Sequence, residues 1–174
     1  MNARSFRRLD LASSALLVLW AGAALGFGLL APLLFRELPS RDVAGRIAGL
    51  MVARLDWAAW GAFGLAGLLS WGARWLAEMK EDVIGPLRLW SAAWLVALVM
   101  CLASSAVVTP KIQDIRARIG APIETLAPGQ PDRVAYDKAH GLSRQIFFLR
   151  ILLALGLAGT VGLLPVPQEG EPAA

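Results

Sequence analysis

The stretch Leu11–Phe35 reads LASSALLVLWAGAALGFGLLAPLLF and contains no charged side chain. A helix of about 20 apolar residues crosses the roughly 30 Å of hydrocarbon in a bilayer, and this run of about 25 is long enough to do so with some tilt. A cleavable secretory leader is the rival reading, because Arg4, Arg7 and Arg8 precede the run and Ala21, Gly22, Ala23 and Ala24 are small. The run continues well past those residues, whereas the apolar core of a leader is only about 7–15 residues long. The expectation is a membrane anchor over residues 11–35, preceded by a basic tail over residues 1–10.

Working outward, three more apolar runs follow. Trp57 to Ala73 is uncharged and about 17 residues long, and Arg74 at its end can snorkel, so a helix over about 55–77 still spans. Leu89 to Pro110 is uncharged over about 22 residues and predicts a helix over about 88–109. The last run begins near Leu142, ends near Pro165 and predicts a helix over about 140–164. The composition agrees: 57% of the chain is hydrophobic and its mean hydropathy is +0.58. A water-soluble domain of this size cannot bury that much hydrocarbon. The predicted fold is an all-α membrane protein, a four-transmembrane-helix bundle in a single domain over residues 11–165, with a disordered acidic tail over 166–174.

Two connections carry their own pattern. After Phe35, charged Arg36, Glu37, Arg41, Asp42 and Arg46 interleave with Val43, Ile47, Leu50 and Met51 on one helical face. Ser40 is the expected N-cap. After the third run, Thr109-Pro110 has the form of an N-cap followed by the first helical residue, and Ile112, Ile115 and Ile119 repeat until Gly120. Both segments are expected to be short amphipathic interfacial helices. Residues 121–131, with Pro122, Pro128, Gly129 and Pro131, should form a loop. The two halves of the chain then read as a loose parallel repeat, each half a membrane helix, a proline, an amphipathic segment and a second membrane helix.

Small residues recur at helical spacing: Gly22 and Gly26; Ala58, Ala62 and Ala66; Ala93, Ala97, Cys101 and Ser105; Ala154, Ala158 and Gly162. They would let helix backbones approach where lipid provides no hydrophobic drive for association. Trp57, Trp60, Trp71, Trp75, Trp90 and Trp94 lie near the ends of the second and third runs, where interfacial aromatic belts belong. Orientation is contested. Lys and Arg are more numerous in the two long connections, which places those in the cytoplasm, but the basic N-terminal tail argues for the opposite side.

The net charge of +4 sits at the flanks of the apolar runs, so anionic lipid is the expected partner and nucleic acid is not. One cysteine, Cys101, and one histidine, His140, leave no intrachain disulfide and no zinc site of several His and Cys ligands. A haem or copper site would need ligands from another subunit. No cofactor and no metal are therefore expected. Phosphate-cradling loops, nucleophile elbows and metalloprotease motifs are missing from the sequence, and the chain is expected not to be an enzyme.

The candidate functional residues gather at the entry to the fourth helix. Tyr136, His140, Ser143 and Phe147 share a helical face, with Arg144 beside His140. His140 is the one side chain that titrates near neutrality unperturbed, which suits proton shuttling or ligand binding. The bland alternative is a locally hydrogen-bonded interfacial histidine. Arg144 and Arg150 lie at or below the headgroup level, where charges face a partner acid or a cavity unless they snorkel to phosphates. Asp56 is the best counter-ion by topology, and Asp137 the next.

Two stretches carry a resemblance. Gly28-Leu-Leu-Ala-Pro32-Leu-Leu-Phe35 with Ala44-Gly45-Arg46-Ile47 resembles the first signature of the transmembrane protein 205-like family, a membrane domain of unknown function. Thr109-Pro110-Lys111-Ile112 through Arg116, then Tyr136 to His140 with Ser143, is similar to its second. Tyr136 stands where that pattern has phenylalanine, and Ala139 where it has leucine. The resemblance implies a small multi-pass membrane protein without established enzymatic activity, and it adds Pro32, Phe35 and Pro110 to the candidate residues. The Ala-, Gly-, Leu- and Arg-rich composition points to a GC-rich bacterium and hence to an inner (plasma) membrane.

Two functional classes follow, with a haem- or copper-linked membrane protein as a third that would need ligands from another subunit. One is handling of a small molecule or ion where Pro32, Phe35, the interfacial helices and His140 converge. The other is a non-catalytic adaptor whose small-residue faces bind another membrane protein or form a homo-oligomer.

Overall fold

The computed structural model describes residues 3–75 and 84–161. Its elements are α1 (Ala3–Glu37), α2 (Arg41–Trp75), α3 (Ile84–Leu102), a π-helical segment (Ala103–Val108), α4 (Thr109–Ile119), a 3-10 turn (Ile123–Thr125) and α5 (Pro131–Val161). The expected acidic tail and Gly162 lie outside the described residues.

Among the described residues, three helical stretches are long and apolar enough to cross a membrane: Arg4–Glu37, Leu89–Ile119 and Pro131–Val161. Their outer faces are apolar too, with Leu19, Leu29 and Leu89 each more than two-thirds exposed. Such a surface suits hydrocarbon and not water. The second expected span is not among the three. α2 matches α1 in length, but Trp57, Trp60, Trp71 and Gly61, Gly64 and Gly67 stand where α1 has a higher share of Leu and Val.

The short interfacial helix expected after helix 1 does not form as a separate element, and the one expected after helix 3, α4, follows that helix without a break in its helical course. Ser40 caps α2 as expected, its Oγ accepting from Val43 N–H at 3.2 Å. From there α2 runs unbroken to Trp75, so the amphipathic stretch is its first half. Gly45 and Gly49 weaken a helix but do not stop one. The second segment likewise continues the third helix. Val108 and Thr109 keep right-handed helical angles, and neither side chain caps α4.

Pro110 gives the physical reason for the π segment. Proline lacks an N–H, and its ring crowds the carbonyl four residues back. The backbone accommodates this by widening one turn, and Thr109 N–H reaches Ser104 O, five residues away. Gly120 then ends α4 in a left-handed conformation (φ 61°), the position where a glycine is needed. At the other end of the chain, α1 already starts at Ala3 and absorbs most of the expected tail. Phe6 and Asp10 are both buried there.

Neighbouring long helices run antiparallel. Ser13 of α1 donates to Ala66 O of α2 at 2.9 Å, and Trp20 Nε1 to Leu55 O at 2.9 Å, so the two chains pass in opposite directions. Ser14 donates to Ala158 O of α5 at 3.1 Å, and Phe27 meets Phe147 edge-on, which fixes α5 against α1 in the same sense. The interior between the four long rods holds Ala21 and Ala24, Ala59 and Ala66, Ala97 and Cys101, and Ala154.

The small-residue reading therefore holds for α2, α3 and α5 at Ala62, Ala66, Ala97, Cys101 and Ala154, which are buried. It fails for Gly22 and Ala58, which are exposed; Ala21, Ala24 and Ala59, one or two residues away, take the contacts instead. The tryptophans divide as well. Trp57 and Trp71 are exposed, as a belt requires, but Trp90 and Trp94 are buried beside Phe63. Trp60 is half-buried and donates to Ser105 at 3.3 Å. The side chain of Trp75 lies outside the described residues.

Candidate functional site

Among the described residues, the buried Asp10, Ser13, Asp56, Ser70, Ser104 and Arg150 have no place in an apolar interior unless they find polar partners. Two of them, Asp56 of α2 and Arg150 of α5, form a salt bridge in which Arg150 Nη2 donates to Asp56 Oδ1. Arg150 is completely buried and Asp56 is 3% exposed. Both sit near the mid-length of their helices, level with Trp20 of α1 and with the π segment.

The second carboxylate oxygen of Asp56 is also occupied. It accepts from Ser104 Oγ at 3.0 Å and lies 3.5 Å from Thr109 Oγ1. These two hydroxyls come from the first turns and the end of the widened π segment, so the backbone distortion at Pro110 is what presents both to α2. Arg150 has further partners: Ser104 Oγ at 3.5 Å and, more distantly, Cys101 Sγ at 4.0 Å. Trp20 and Phe147 flank its guanidinium, with ring centroids at 5.7 and 5.9 Å. Its Nε is buried without a hydrogen-bond partner. The arrangement is a hydroxyl-lined ion pair walled by two aromatic rings, and all four long helices contribute to it.

A second cluster lies at the end of the molecule near the α2 N-terminus. Arg116 of α4 lies over the ring of Tyr136 of α5, 5.8 Å from its centroid, and Tyr136 stacks on His140 with ring planes 4° apart. Arg116 Nη2 also occupies the space over Gly45, where a Cβ would meet it at 2.6 Å. Gly45, Arg116, Tyr136 and His140 all belong to the two signatures quoted above, and the fold brings them into one stack. His140 itself is exposed.

The candidate residues therefore separate. Tyr136 and His140 come together in the outer stack. Asp56 lies in the interior, paired with the deeper of the two arginines for which it was the expected counter-ion. Pro110 is half-buried beside Thr109 and shapes the inner site through the backbone. Pro32 and Phe35 are exposed on α1 and Ser143 is half-buried, and the structure joins none of these three to either cluster; Arg144 is exposed one turn from His140 and acts on it electrostatically, at the edge of the outer stack. The single convergent site expected at His140 is thus two sites. Among the described residues no group of three or more His, Cys, Asp or Glu side chains could hold a metal ion.

Ser104 and Trp20 are site residues that the sequence did not single out, and Arg150 was singled out only together with Arg144. The signal for Arg150 was its depth: it stands eight residues, or about 12 Å of helix, beyond Leu142 where the apolar run begins. Ser104 gave a weaker one, as one of the few hydroxyls, with Ser91, Ser105 and Thr109, in an uncharged run.

Comparison with known families covers part of these sites. A model described as a domain of unknown function, DUF4149, matches residues 15–120, more than half of the chain. The chain belongs to the DUF4149 family. The match carries Asp56, Ser104, Thr109, Pro110, Gly45 and Arg116, and it stops at the glycine that ends α4. α5, with Arg150, Tyr136 and His140, lies beyond the matched DUF4149 segment. Nothing in the match links it by name to the transmembrane protein 205-like family. Comparison with curated proteins and with solved structures gives no match.

Proposed function

We propose that this DUF4149 protein is a non-enzymatic four-span bundle of a bacterial inner membrane that handles a small ion or molecule at the Asp56–Arg150 pair. The observation that carries this reading is the pair itself. Charged groups at membrane depth are expensive, and where they occur they mark ion paths, proton relays or ligand sites far more often than scaffolding. π-helical turns are also concentrated at functional sites, and here one supplies both hydroxyls. For α2 as the fourth span, the support is its course: it runs antiparallel along α1, so hydrocarbon surrounding α1 also surrounds α2. The resemblance to the transmembrane protein 205-like family points in the same direction, towards a small multi-pass protein without enzymatic activity.

The test is flux in liposomes containing the purified full-length protein, read with proton- and alkali-cation-sensitive dyes under an imposed gradient. Flux above that of protein-free vesicles is expected for the wild type and for His140→Ala, and its loss for Asp56→Asn. A wild-type rate equal to the protein-free leak would count against ion handling, and loss in His140→Ala with retention in Asp56→Asn would return the site to the outer stack.

A second reading, a non-catalytic interaction subunit, is favoured by one observation. Ala44, Val108 and Ile115 are buried between the ion pair and the outer stack, so the interior is packed on that side. Gly22, Gly156 and Gly159 are meanwhile exposed with open space above them, as a helix from another membrane protein or a second copy would need. Photo-cross-linkers placed at Gly22 and Gly159 in native membranes report on it, and a single defined adduct dependent on those positions is the expected result for an adaptor.

A further inference from the structure

A cavity of about 300 Å³ opens between the first half of α2, α4 and the turn that follows it. Asp42 and Arg46 line it from α2, Arg116 and Ala117 from α4, and Gly120 to Ile123 from the turn. We propose that this cavity binds the phosphate of an anionic phospholipid headgroup, with Arg46 and Arg116 as its two cationic walls.

Charge is the first argument. Arg46 and Arg116 outnumber the single acid, Asp42, which lies 3.6 Å from Arg46 in a loose, largely exposed pair. No carboxylate among the described residues lies within salt-bridge distance of Arg116. The positive end of the α2 dipole, at the turn capped by Ser40, adds to the field.

Preorganisation is the second. Arg116 is not a waving surface side chain: Tyr136 supports one side of the guanidinium, and Gly45 leaves room for it on α2. A planar guanidinium held in this way is suited to phosphate recognition, because less side-chain freedom is lost on binding.

Depth and lining select a lipid over free phosphate. The apolar run ends at Pro110, and Arg116 lies six residues further, about 9 Å along the helix axis. The headgroup layer occupies about 5–8 Å on each side of the hydrocarbon, so the arginine reaches its outer edge. Ala117, Ala121, Pro122 and Ile123 give the same cavity an apolar side, which suits the glycerol and first methylenes of a lipid and offers nothing to an inorganic anion.

The experiment titrates detergent-purified full-length protein with short-chain phosphatidylglycerol and, in a separate arm, with inorganic phosphate, following bound ligand by native mass spectrometry. Phosphatidylglycerol is expected to bind at least tenfold more tightly than inorganic phosphate. Arg46→Gln and Arg116→Gln should each weaken it about fivefold, in keeping with about 1 kcal/mol per basic residue at a lipid surface. Arg46 is an exposed side chain whose loss does not endanger the fold, so its variant gives a reading even if Arg116→Gln is poorly folded. Gly45→Ala, which displaces Arg116 without removing charge, should also weaken binding. Phosphatidylglycerol affinity unaltered in Arg46→Gln and Gly45→Ala, or inorganic phosphate bound as tightly as the lipid, overturns the proposal.

Discussion

Asp56 and Arg150 stand 94 residues apart in sequence and hydrogen-bond to each other at the centre of the molecule. The pair ties α2 to α5 across an interior otherwise made of alanine, aromatic rings, one cysteine and aliphatic side chains such as Leu17, Ile151 and Leu157. Because Ser104 and Thr109 reach the same carboxylate, the pair also ties in the third helix.

Ser104→Ala removes a hydroxyl that donates to an ionised carboxylate and adds no volume. A hydrogen bond to a charged group is worth about 1.5–3 kcal/mol, so the variant should unfold at lower temperature or lower SDS fraction than the wild type in detergent. Thr109→Val, acting on the longer 3.5 Å contact, should cost less. The order of the two midpoints is the measurement; a larger loss for Thr109→Val contradicts the geometry.

Gly67 and Gly61 lie six residues apart on different faces of α2 and meet different surroundings. A Cβ at Gly67 would touch the Trp94 ring at 3.4 Å, and one at Gly61 would meet nothing within 4 Å. Gly67→Leu should therefore overpack the interface and destabilise by about 1–3 kcal/mol. Gly61→Leu should be neutral or slightly stabilising, since leucine is the better helix former. Thermal melting of both variants in one detergent compares them directly.

Cys101 is completely buried, and its sulfur faces the guanidinium of Arg150. A small maleimide should leave it unmodified in the folded protein and label it fully after denaturation in SDS. Rapid labelling without denaturant would mean that the interior beside Arg150 is open to solutes.

The fold class was legible in the sequence because it rests on long uncharged runs, and a helix that long leaves few alternatives. Breaks were harder to read. Thr109-Pro110 has the local chemistry of a helix start, yet tertiary packing keeps the helix going and turns the proline into a π distortion; Thr109 serves Asp56 instead of capping. The helical face was misjudged by one or two residues at Gly22 and Ala58, because small residues flank the true contacts at Ala21, Ala24 and Ala59. In the site, the acid was identifiable and its partner only half so. Arg144 and Arg150 share the same run, and one-dimensional spacing does not tell which of them turns inward. The Gly45–Arg116 approach depends on a crossing of two helices far apart in sequence, and no local pattern encodes it.

The most direct test of the interior ion pair is a double-mutant cycle on Asp56 and Arg150, read as SDS- or heat-induced unfolding in detergent. Asp56→Leu and Arg150→Met should each destabilise by about 3–5 kcal/mol, because each leaves an unpaired charge buried. The double variant, with no charge left to bury, should recover most of that loss, giving a coupling of about 2 kcal/mol or more. Single losses that simply add in the double variant would contradict the account, since they would mean that Asp56 and Arg150 do not meet inside the protein.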